Sequence, residues 1–183
     1  MTNAHNPETI RNFDPDRIIA CLRANNVSYI IVGGVAGRIY GASRTTSDLD
    51  LVPADDPANL DRLARALRDL GARLRVSGLS PTELESLTVP LDGRTLRHFG
   101  VSTWMTDVGP VDVLLSMRTA AGAFRTFHEL VVTAITANTL GGPVRLASLE
   151  DIVASKEFAN RPKDREALPE LRRLLLSDQR DDR

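Results

Sequence analysis

The sequence of 183 residues is poor in cysteine, histidine and aromatic residues. Its single cysteine, Cys21, excludes an internal disulfide and favours a reducing, cytoplasmic setting. The histidines, among them His98 and His128, do not have the spacing of a zinc site. No apolar run reaches the ~20 residues of a membrane span, and the N-terminus lacks the apolar stretch of a signal peptide. We therefore expect a cytoplasmic protein that does not contact a membrane.

An excess of charge of either sign is also lacking, since the formal net charge is −1. This balance argues against a generally basic nucleic-acid-binding surface, although a local basic patch remains compatible with it. The hydrophobic fraction of 42% is ample for one core. We expect a core over residues 1–147 and a helical C-terminal extension over residues 148–183, packed together as one compact unit.

Hydrophobic periodicity, caps and turn residues predict the order of helices and strands. Predicted helices cover residues 15–25, 35–40, 57–70, 120–130, 148–160 and 163–176, the last disturbed at Pro169. Predicted strands cover residues 28–32, 48–52, 74–76, 101–108, 111–115, 131–137 and 144–147. Residues 77–98 are expected to form an excursion with broken strand, and residues 177–183 to be frayed. This order predicts an α/β (α+β) fold, a small mixed sheet backed by helices, with a helical C-terminal part.

Two carboxylates, Asp48 and Asp50, stand in an otherwise apolar predicted strand. Residues i and i+2 of a strand share one face, so both side chains point the same way. Buried carboxylates are costly unless a cation neutralises them. The plainer interpretation is an edge strand with one solvated face. The apolar context favours a divalent metal site.

A third carboxylate, Asp112, lies within the apolar predicted strand 111–115. If this strand neighbours strand 48–52, the three carboxylates converge, because adjacent strands lie about 4.8 Å apart. Three like charges would repel one another strongly without a cation. Oxygen ligands suit Mg²⁺ or Mn²⁺ rather than zinc. Asp48, Asp50 and Asp112 are therefore the predicted metal ligands.

The pair Gly33-Gly34 follows the first strand and precedes a short helix. Bare backbone N–H groups at such a turn suit a phosphate group, although a tight strand-to-helix turn explains the pair as well. Arg38 and Arg44 flank the pair, where they could hold triphosphate oxygens or be ordinary surface charges. Thr46 precedes Asp48 by two residues and would share its strand face if the strand starts early. Metal and phosphate contacts together indicate nucleotide chemistry.

These residues together resemble the nucleotidyltransferase superfamily typified by DNA polymerase beta. Its signature is an apolar strand, a Gly-Gly pair, a short helix, an Asp-x-Asp motif and a third carboxylate on a later strand. Here the signature is Val32-Gly33-Gly34, then Asp48-Leu49-Asp50, then Asp112. The resemblance covers about residues 28–115.

The C-terminal part is similar to the AbiEii/MenT-type toxins of toxin–antitoxin systems. The similarity is carried by Arg44-x-Thr46-x-Asp48-x-Asp50, by residues 148–156 and by the segment 160–164. It implies a transfer of a nucleoside monophosphate from a nucleoside triphosphate to an acceptor hydroxyl, at a tRNA or other RNA 3′ end. It further implies Asp48 and Asp50 as metal ligands, Gly33 and Gly34 as phosphate contacts, and a cognate antitoxin as partner. Together with the neighbouring Arg38, Arg44, Thr46 and Ser47, the glycine pair makes up the predicted nucleotide contacts.

The resemblance also implies that Lys156 and Asp164 belong to the active site. Residues 156, 160 and 164 recur every four positions and would share one face of a helix, although Pro162 weakens that geometry. Without the resemblance, Lys156 is a solvated lysine and Asp164 a helix cap. Asp112 is expected to act as the general base or to position it.

Two alternatives to transfer onto RNA stay open. The acceptor could be a small molecule or a protein hydroxyl, Thr46 of this chain included. The chain could instead be a degenerate relative that binds a nucleotide or partner without turnover. Two basic groups are candidate RNA contacts: Arg62, Arg65, Arg68, Arg73 and Arg75, and Arg161, Lys163, Arg165, Arg172 and Arg173.

Overall fold

The computed structural model describes residues 13–76, 78, 83 and 89–181. This part contains a seven-stranded sheet, a two-stranded hairpin and seven helices. The strands are β1 (Tyr29–Val32), β2 (Leu49–Pro53), β3 (Arg73–Arg75), β4 (Val101–Thr106), β5 (Gly109–Leu114), β6 (Ser116–Arg118), β7 (Phe124–Thr126), β8 (Ile135–Thr139) and β9 (Gly142–Leu146). The helices are α1 (Pro15–Ala24), α2 (Gly33–Ile39), α3 (Pro57–Asp69), α4 (Gly93–Phe99), α5 (Phe127–Thr133), α6 (Leu149–Ala159) and α7 (Pro162–Asp181).

The sheet has the order β3-β4-β5-β2-β1-β9-β8 and is mixed. The pairs β2–β5 and β1–β9 are parallel, and the other neighbours are antiparallel. Strand β1 is buried along its whole length, as expected for a central strand with an apolar sequence. The predicted fold class, a mixed sheet with helices and a helical C-terminal part, is confirmed.

Strands β4 and β5 alternate between a buried and a more open face. Trp104, Val111 and Val113 point into the core, whereas Thr103 and Asp112 point the other way. The strand period of two thus sets a polar row on the face opposite the core. Asp112 is on that open face because its neighbours in sequence are buried.

The C-terminal helices belong to the same hydrophobic core as the sheet. Ile152 of α6 and Leu168 and Leu171 of α7 are buried in one cluster with residues of β1 and β2. Tyr40, which follows α2, donates a hydrogen bond from its hydroxyl to the carbonyl of Ala147, just before α6. Among the described residues, none of the helices is both long and apolar enough to cross a membrane.

Three segments of the chain differ from their predicted structure. Residues 124–126 form strand β7 rather than helix, and helix α5 starts only at Phe127. The reason is a capping box. The side chain of Thr126 accepts a hydrogen bond from the backbone N–H of Glu129, and the side chain of Glu129 accepts one from the backbone N–H of Thr126, which fixes the start of the helix. Helix α5 then takes up residues 131–133, which were predicted to begin a strand, and β8 starts at Ile135.

The excursion predicted for residues 77–98 ends in helix α4, not in broken strand. The carboxylate of Asp92 caps it by accepting a hydrogen bond from the N–H of Thr95 at 2.8 Å. Residues 77, 79–82 and 84–88 of this excursion lie outside the described part of the chain.

The third correction concerns the C-terminus. Helix α7 begins at Pro162 and continues past Pro169 to Asp181, where fraying was predicted from residue 177. A proline in the first turn needs no N–H partner, so Pro162 starts a helix and does not merely interrupt one.

Candidate active site

An open cleft of about 740 Å³ lies between the start of α2, the strands β2 and β5, the hairpin β6–β7 and the helices α6 and α7. Nine of the eleven residues predicted for the site line it: Gly33, Gly34, Arg44, Thr46, Ser47, Asp48, Asp50, Asp112 and Lys156. Asp164 is buried beside the cleft and forms an ion pair with Lys156. The fold therefore brings together side chains that are more than one hundred residues apart in sequence.

The carboxylates of Asp50 and Asp112 are directly opposite each other on the parallel strands β2 and β5. Asp48 comes just before β2 and lines the same cleft. Leu49 and Leu51, which alternate with these aspartates, are fully buried. The row continues across the sheet, because Thr103 is opposite Asp112 and Arg75 is opposite Thr103. Strand register thus sets a line of polar groups that ends on the carboxylate pair.

Burial raises the pKa of Asp50 to about 7, and repulsion from Asp48 and Asp112 adds to the effect. A hydrogen bond from the Gly34 N–H and the charge of Lys163 oppose the shift only in part. Burial also raises the pKa of Asp112, and a hydrogen bond with the Thr103 side chain opposes that increase only in part. A carboxylate at these positions is costly in the metal-free protein, and a nearby cation would remove that cost.

Among the described residues, the buried Oδ1 atom of Asp112 in this carboxylate cluster has no hydrogen-bond partner. A buried carboxylate oxygen without a partner is costly, and a bound cation would remove that cost. The all-oxygen donor set of Asp48, Asp50 and Asp112 fits Mg²⁺ or Mn²⁺.

No three histidine, cysteine, aspartate or glutamate side chains of the described residues form a preassembled metal site. Mg²⁺ commonly takes part of its ligands from a bound triphosphate, so a protein need not supply all of them.

The two glycines make room for the side chains of the site. A Cβ on Gly33 would stand 2.0 Å from Asp50 Oδ2, and Gly33 has φ +64, where side chains are disfavoured. A Cβ on Gly34 would stand 2.5 Å from Thr46 Oγ1. The N–H of Gly34 is directed at Asp50. The glycine pair thus serves the packing of the carboxylates, in addition to any phosphate contact.

Thr46 orients the first carboxylate, since its hydroxyl donates to Asp48 Oδ1 at 2.7 Å. Arg44 reaches Glu166 of α7 in an exposed ion pair of 2.7 Å at the edge of the cleft. Arg38 is the exception among the predicted contacts. It lies in a second depression with Phe13 and Leu140, because its place on α2 turns it away from the cleft that Gly34 and Gly37 line.

Lys156 and Asp164 meet, although not on one helix as predicted. Helix α6 ends at Asn160 in the left-handed conformation, and α7 begins two residues later. This tight turn folds Asp164 back towards Lys156, with 3.3 Å between the Lys156 Nζ and Asp164 Oδ1 atoms. The Arg161 Nε atom donates to Asp164 Oδ2 at 2.6 Å.

Asp164 is the fully buried centre of this cluster. Burial alone would raise its pKa, but the hydrogen bond from Arg161 and the Lys156 ammonium hold the pKa below its usual value. In return, the pKa of Arg161 is raised, first by its hydrogen bond to Asp164 and further by the charges of Asp50 and Asp48. The ion cluster therefore places a guanidinium within electrostatic reach of the carboxylates.

Several cleft residues were missed from sequence or seen in another role. Arg161 and Lys163 were considered only as RNA contacts, yet they face the carboxylate cluster. One sequence feature could have indicated this role: the cationic residues Arg161 and Lys163 come just after Asn160, where the helical pattern is interrupted. The hairpin β6–β7, which brings Arg118 and Phe124 to the cleft, left no signal because residues 120–130 were predicted to be helical.

Several solved structures share the fold of this chain. A crystal structure of the lincosamide antibiotic adenylyltransferase LnuA with bound lincomycin superposes with a TM-score of 0.57 at 13% identity, covering 90% of this chain and 99% of that chain. The antibiotic-resistance factor ANT(2″)-Ia in solution gives 0.53 at 17% identity, covering 90% and 84%. Its complex with adenylyl-2″-tobramycin gives 0.51 at 16% identity, covering 91% and 95%. At these identities the likeness concerns the fold.

No curated protein matches the chain. Residues 21–170, which contain the carboxylates, the glycine pair and the Lys156–Asp164 cluster, match the sequence model described as nucleotidyl transferase AbiEii toxin, Type IV TA system. The match covers most of the chain and agrees with the nucleotidyltransferase fold. The chain therefore belongs to the AbiEii family of nucleotidyl transferase toxins of type IV toxin–antitoxin systems.

Proposed function

We propose that this nucleotidyltransferase moves a nucleoside monophosphate from a nucleoside triphosphate to the 3′ hydroxyl of an RNA, tRNA included, with Mg²⁺ or Mn²⁺. It would do so as the toxin of a pair that includes a cognate antitoxin. The observation that carries the proposal is the register of Asp50 and Asp112, with Asp48 beside them and an unpartnered Asp112 Oδ1 in the described structure.

The residues divide the chemistry as follows. The acceptor oxygen attacks the α-phosphorus, its proton passes to Asp112, and the bond to the bridging oxygen breaks to release pyrophosphate. Because burial raises the pKa of Asp112, its carboxylate accepts a proton more readily than an exposed one would. A divalent cation held by Asp48 and Asp50 would supply neutralisation of the triphosphate charge. Arg44, Thr46, Ser47 and the glycine pair would contact the triphosphate.

RNA as acceptor is supported by cations placed around the carboxylates. Lys163 lies near enough to lower the pKa of both Asp50 and Asp112, and Arg75 acts on Asp112 from the end of the sheet row. The membership in a toxin family favours a target that the cell needs for growth. A polyanion that reached Asp112 along the open sheet face would meet Arg75 and Thr103 first.

A small hydroxyl compound is the second candidate acceptor. The cleft volume of about 740 Å³ is typical of a site that encloses a small ligand. The fold neighbours include an adenylyltransferase named for lincosamide antibiotics and a complex with adenylyl-2″-tobramycin. This candidate keeps the same metal and carboxylates and changes only the group that carries the hydroxyl.

One experiment separates the acceptors. Each of the four α-labelled nucleoside triphosphates is incubated with the protein and Mg²⁺, with total RNA, tobramycin, lincomycin or no acceptor added. Label in RNA that disappears with chelator and in Asp50→Asn supports the proposal. Label in the antibiotic, or in the protein itself when nothing is added, replaces RNA by that acceptor. Label nowhere, with any triphosphate, contradicts the proposal.

A further inference from the structure

We propose that Arg118, Phe124 and Phe158 form a subsite that stacks a nucleobase at the hairpin end of the cleft; we call these three residues the stacking cluster. The proposal rests on the proposed nucleotidyl transfer, and it adds the part of the site that recognises the base and not the phosphates. All three residues line the same cleft as Asp48, Asp50 and Asp112.

The cluster is built from two separate elements. Arg118 and Phe124 are paired across the hairpin β6–β7, and Phe158 belongs to α6. The Arg118 guanidinium carbon is 3.6 Å from the Phe124 ring centroid and 5.2 Å from that of Phe158. Arg118 also donates a hydrogen bond to the carbonyl of Gly122 at 2.7 Å. Three planar groups are thereby held close together.

The two rings remain accessible. Phe124 is 57% exposed and Phe158 44% exposed, in a chain that has only five phenylalanines. Val101, at the same end of the cleft, is 64% exposed. A cation–π contact on the surface explains why Arg118 lies against Phe124, but it leaves the apolar area of both rings open inside the cleft. A planar ligand would cover that area.

The hairpin that carries the cluster is anchored at its base. Arg125 of β7 forms an ion pair with the carboxylate of Asp151, which is buried at the start of α6 and also accepts hydrogen bonds from Ser148 and Thr133. At the turn, a Cβ on Gly122 would stand 3.2 Å from the Phe158 ring. The rings are therefore held in place without a ligand, which lowers the entropic cost of stacking on them.

The rest of the cleft indicates what kind of ligand the cluster takes. Its centre combines carboxylates for a metal with the cations Lys156, Arg161 and Lys163, which suits phosphate groups. A ligand that places phosphates there and a flat, largely apolar ring on Phe124 and Phe158 is a nucleotide. Aromatic and arginine planes are the usual partners of unpaired bases. The base can belong to the triphosphate or to the 3′ nucleotide of an RNA acceptor.

The test uses three single variants of the full chain. Phe124→Ala and Phe158→Ala remove one ring each, and Phe158→Tyr keeps a ring. Phe99→Ala is the matched control, because Phe99 is 41% exposed yet lies outside the cleft. Each variant is checked by melting temperature. Dissociation constants are measured with Mg²⁺ for a non-hydrolysable triphosphate and for inorganic tripolyphosphate, which has no base, and KM is measured for RNA labelling.

Loss of a stacked ring should weaken the relevant step by roughly 5- to 100-fold, with tripolyphosphate binding unchanged. Weaker triphosphate binding in Phe124→Ala and Phe158→Ala assigns the cluster to the donor base. A raised KM for RNA with unchanged triphosphate binding assigns it to the acceptor base. Phe158→Tyr should stay within about twofold of the wild type in either case.

Two results overturn the stacking cluster: folded alanine variants that match Phe99→Ala in every measurement, or an equal loss of tripolyphosphate and triphosphate binding. The proposed transfer fails separately. If the wild-type protein labels no acceptor but its triphosphate binding depends on Phe158, the subsite stands and the transfer is wrong.

Discussion

Asp50 and Asp112 lie directly opposite each other on neighbouring parallel strands, although 61 positions separate them in sequence. Parallel pairing brings side chains on the same face to within a few ångströms, so the two carboxylates share one local environment. Burial raises the pKa of Asp50 to about 7, and repulsion from Asp48 and Asp112 adds to the shift. The pair is poised to gain stability from a divalent cation, and the first two predictions depend on this.

Asp48→Asn and Asp50→Asn should each lower the rate of transfer by more than about 100-fold. Even outer partners of metal ligands are worth roughly 10- to 100-fold, and a ligand is worth more. The rate is measured with labelled triphosphate at saturating Mg²⁺. Asp55→Asn is the control, because Asp55 lies outside the cleft with its side chain 51% exposed. Full activity in Asp48→Asn or Asp50→Asn would exclude the metal proposal.

The stability of the metal-free protein should depend on pH through Asp50. The folded pKa of about 7 is above the unfolded value of about 4, so this group stabilises the fold fully below about pH 4 and loses that contribution as the pH rises through 7. In chelator, Asp50→Asn should therefore raise the melting temperature more at pH 8 than at pH 5. An equal gain at both pH values would show that Asp50 is not titrating as inferred, and Mg²⁺ should shrink the gain at pH 8.

The close contact between Gly33 and Asp50 predicts that substitution of Gly33 reduces activity as well as stability. Gly33→Ala and Gly100→Ala place a side chain at similar positive φ, +64 and +68, so each should lose about 1–3 kcal/mol of unfolding free energy. Only Gly33→Ala should also lose transfer, because its Cβ would displace Asp50, whereas a Cβ on Gly100 meets nothing within 4 Å. Urea unfolding and activity assays check both. Equal activity in the two variants would contradict the role given to Gly33.

The buried ion cluster predicts a large stability effect. Asp164→Ala leaves Lys156 and Arg161 without their shared carboxylate and should cost about 3–5 kcal/mol of unfolding free energy. Glu157→Ala breaks an ion pair with the exposed Arg172 and should cost less than about 1 kcal/mol. Urea unfolding measures both. A cost for Asp164→Ala no greater than that of Glu157→Ala would mean that the cluster contributes little to stability.

The cation Lys163 should contribute to RNA binding. Lys163→Ala is expected to reduce RNA labelling and to lower the salt slope of RNA binding by roughly 0.7–0.9, the value for one phosphate contact. Arg173→Ala removes the same charge from α7 outside the cleft and should do neither. The salt dependence of binding is measured between low and physiological ionic strength. A slope that Lys163→Ala leaves unchanged would remove Lys163 from the RNA site.

Most of the secondary-structure elements, and the carboxylates proposed as metal ligands, could be predicted from the sequence by itself. Asp48, Asp50 and Asp112 could be singled out because strand periodicity places them against apolar neighbours, where a charge is expensive. The glycine pair could be found because the strand before it and the helix after it are both marked by local signals. Local backbone preferences and burial patterns act over a few residues, so they can be read along the chain.

The tertiary structure alone decided which of these groups meet. The register of β2 against β5 depends on packing over the whole sheet, and so does the position of Arg75 and Thr103 in the same row. The turn at Asn160 moved Asp164 from a helical face shared with Lys156 to a contact across the break between α6 and α7. Long-range contacts of this kind have no signature in local sequence.

The hairpin β6–β7 shows the same limit in a functional setting. Residues 120–130 have helical spacing, but the capping box of Thr126 and the ion pair of Arg125 with the buried Asp151 select a strand and a later helix start. That choice brings Arg118 and Phe124 to the cleft beside Phe158. Local propensity was overridden here by tertiary contacts whose partners lie on α6, and no pattern within the segment contains that information.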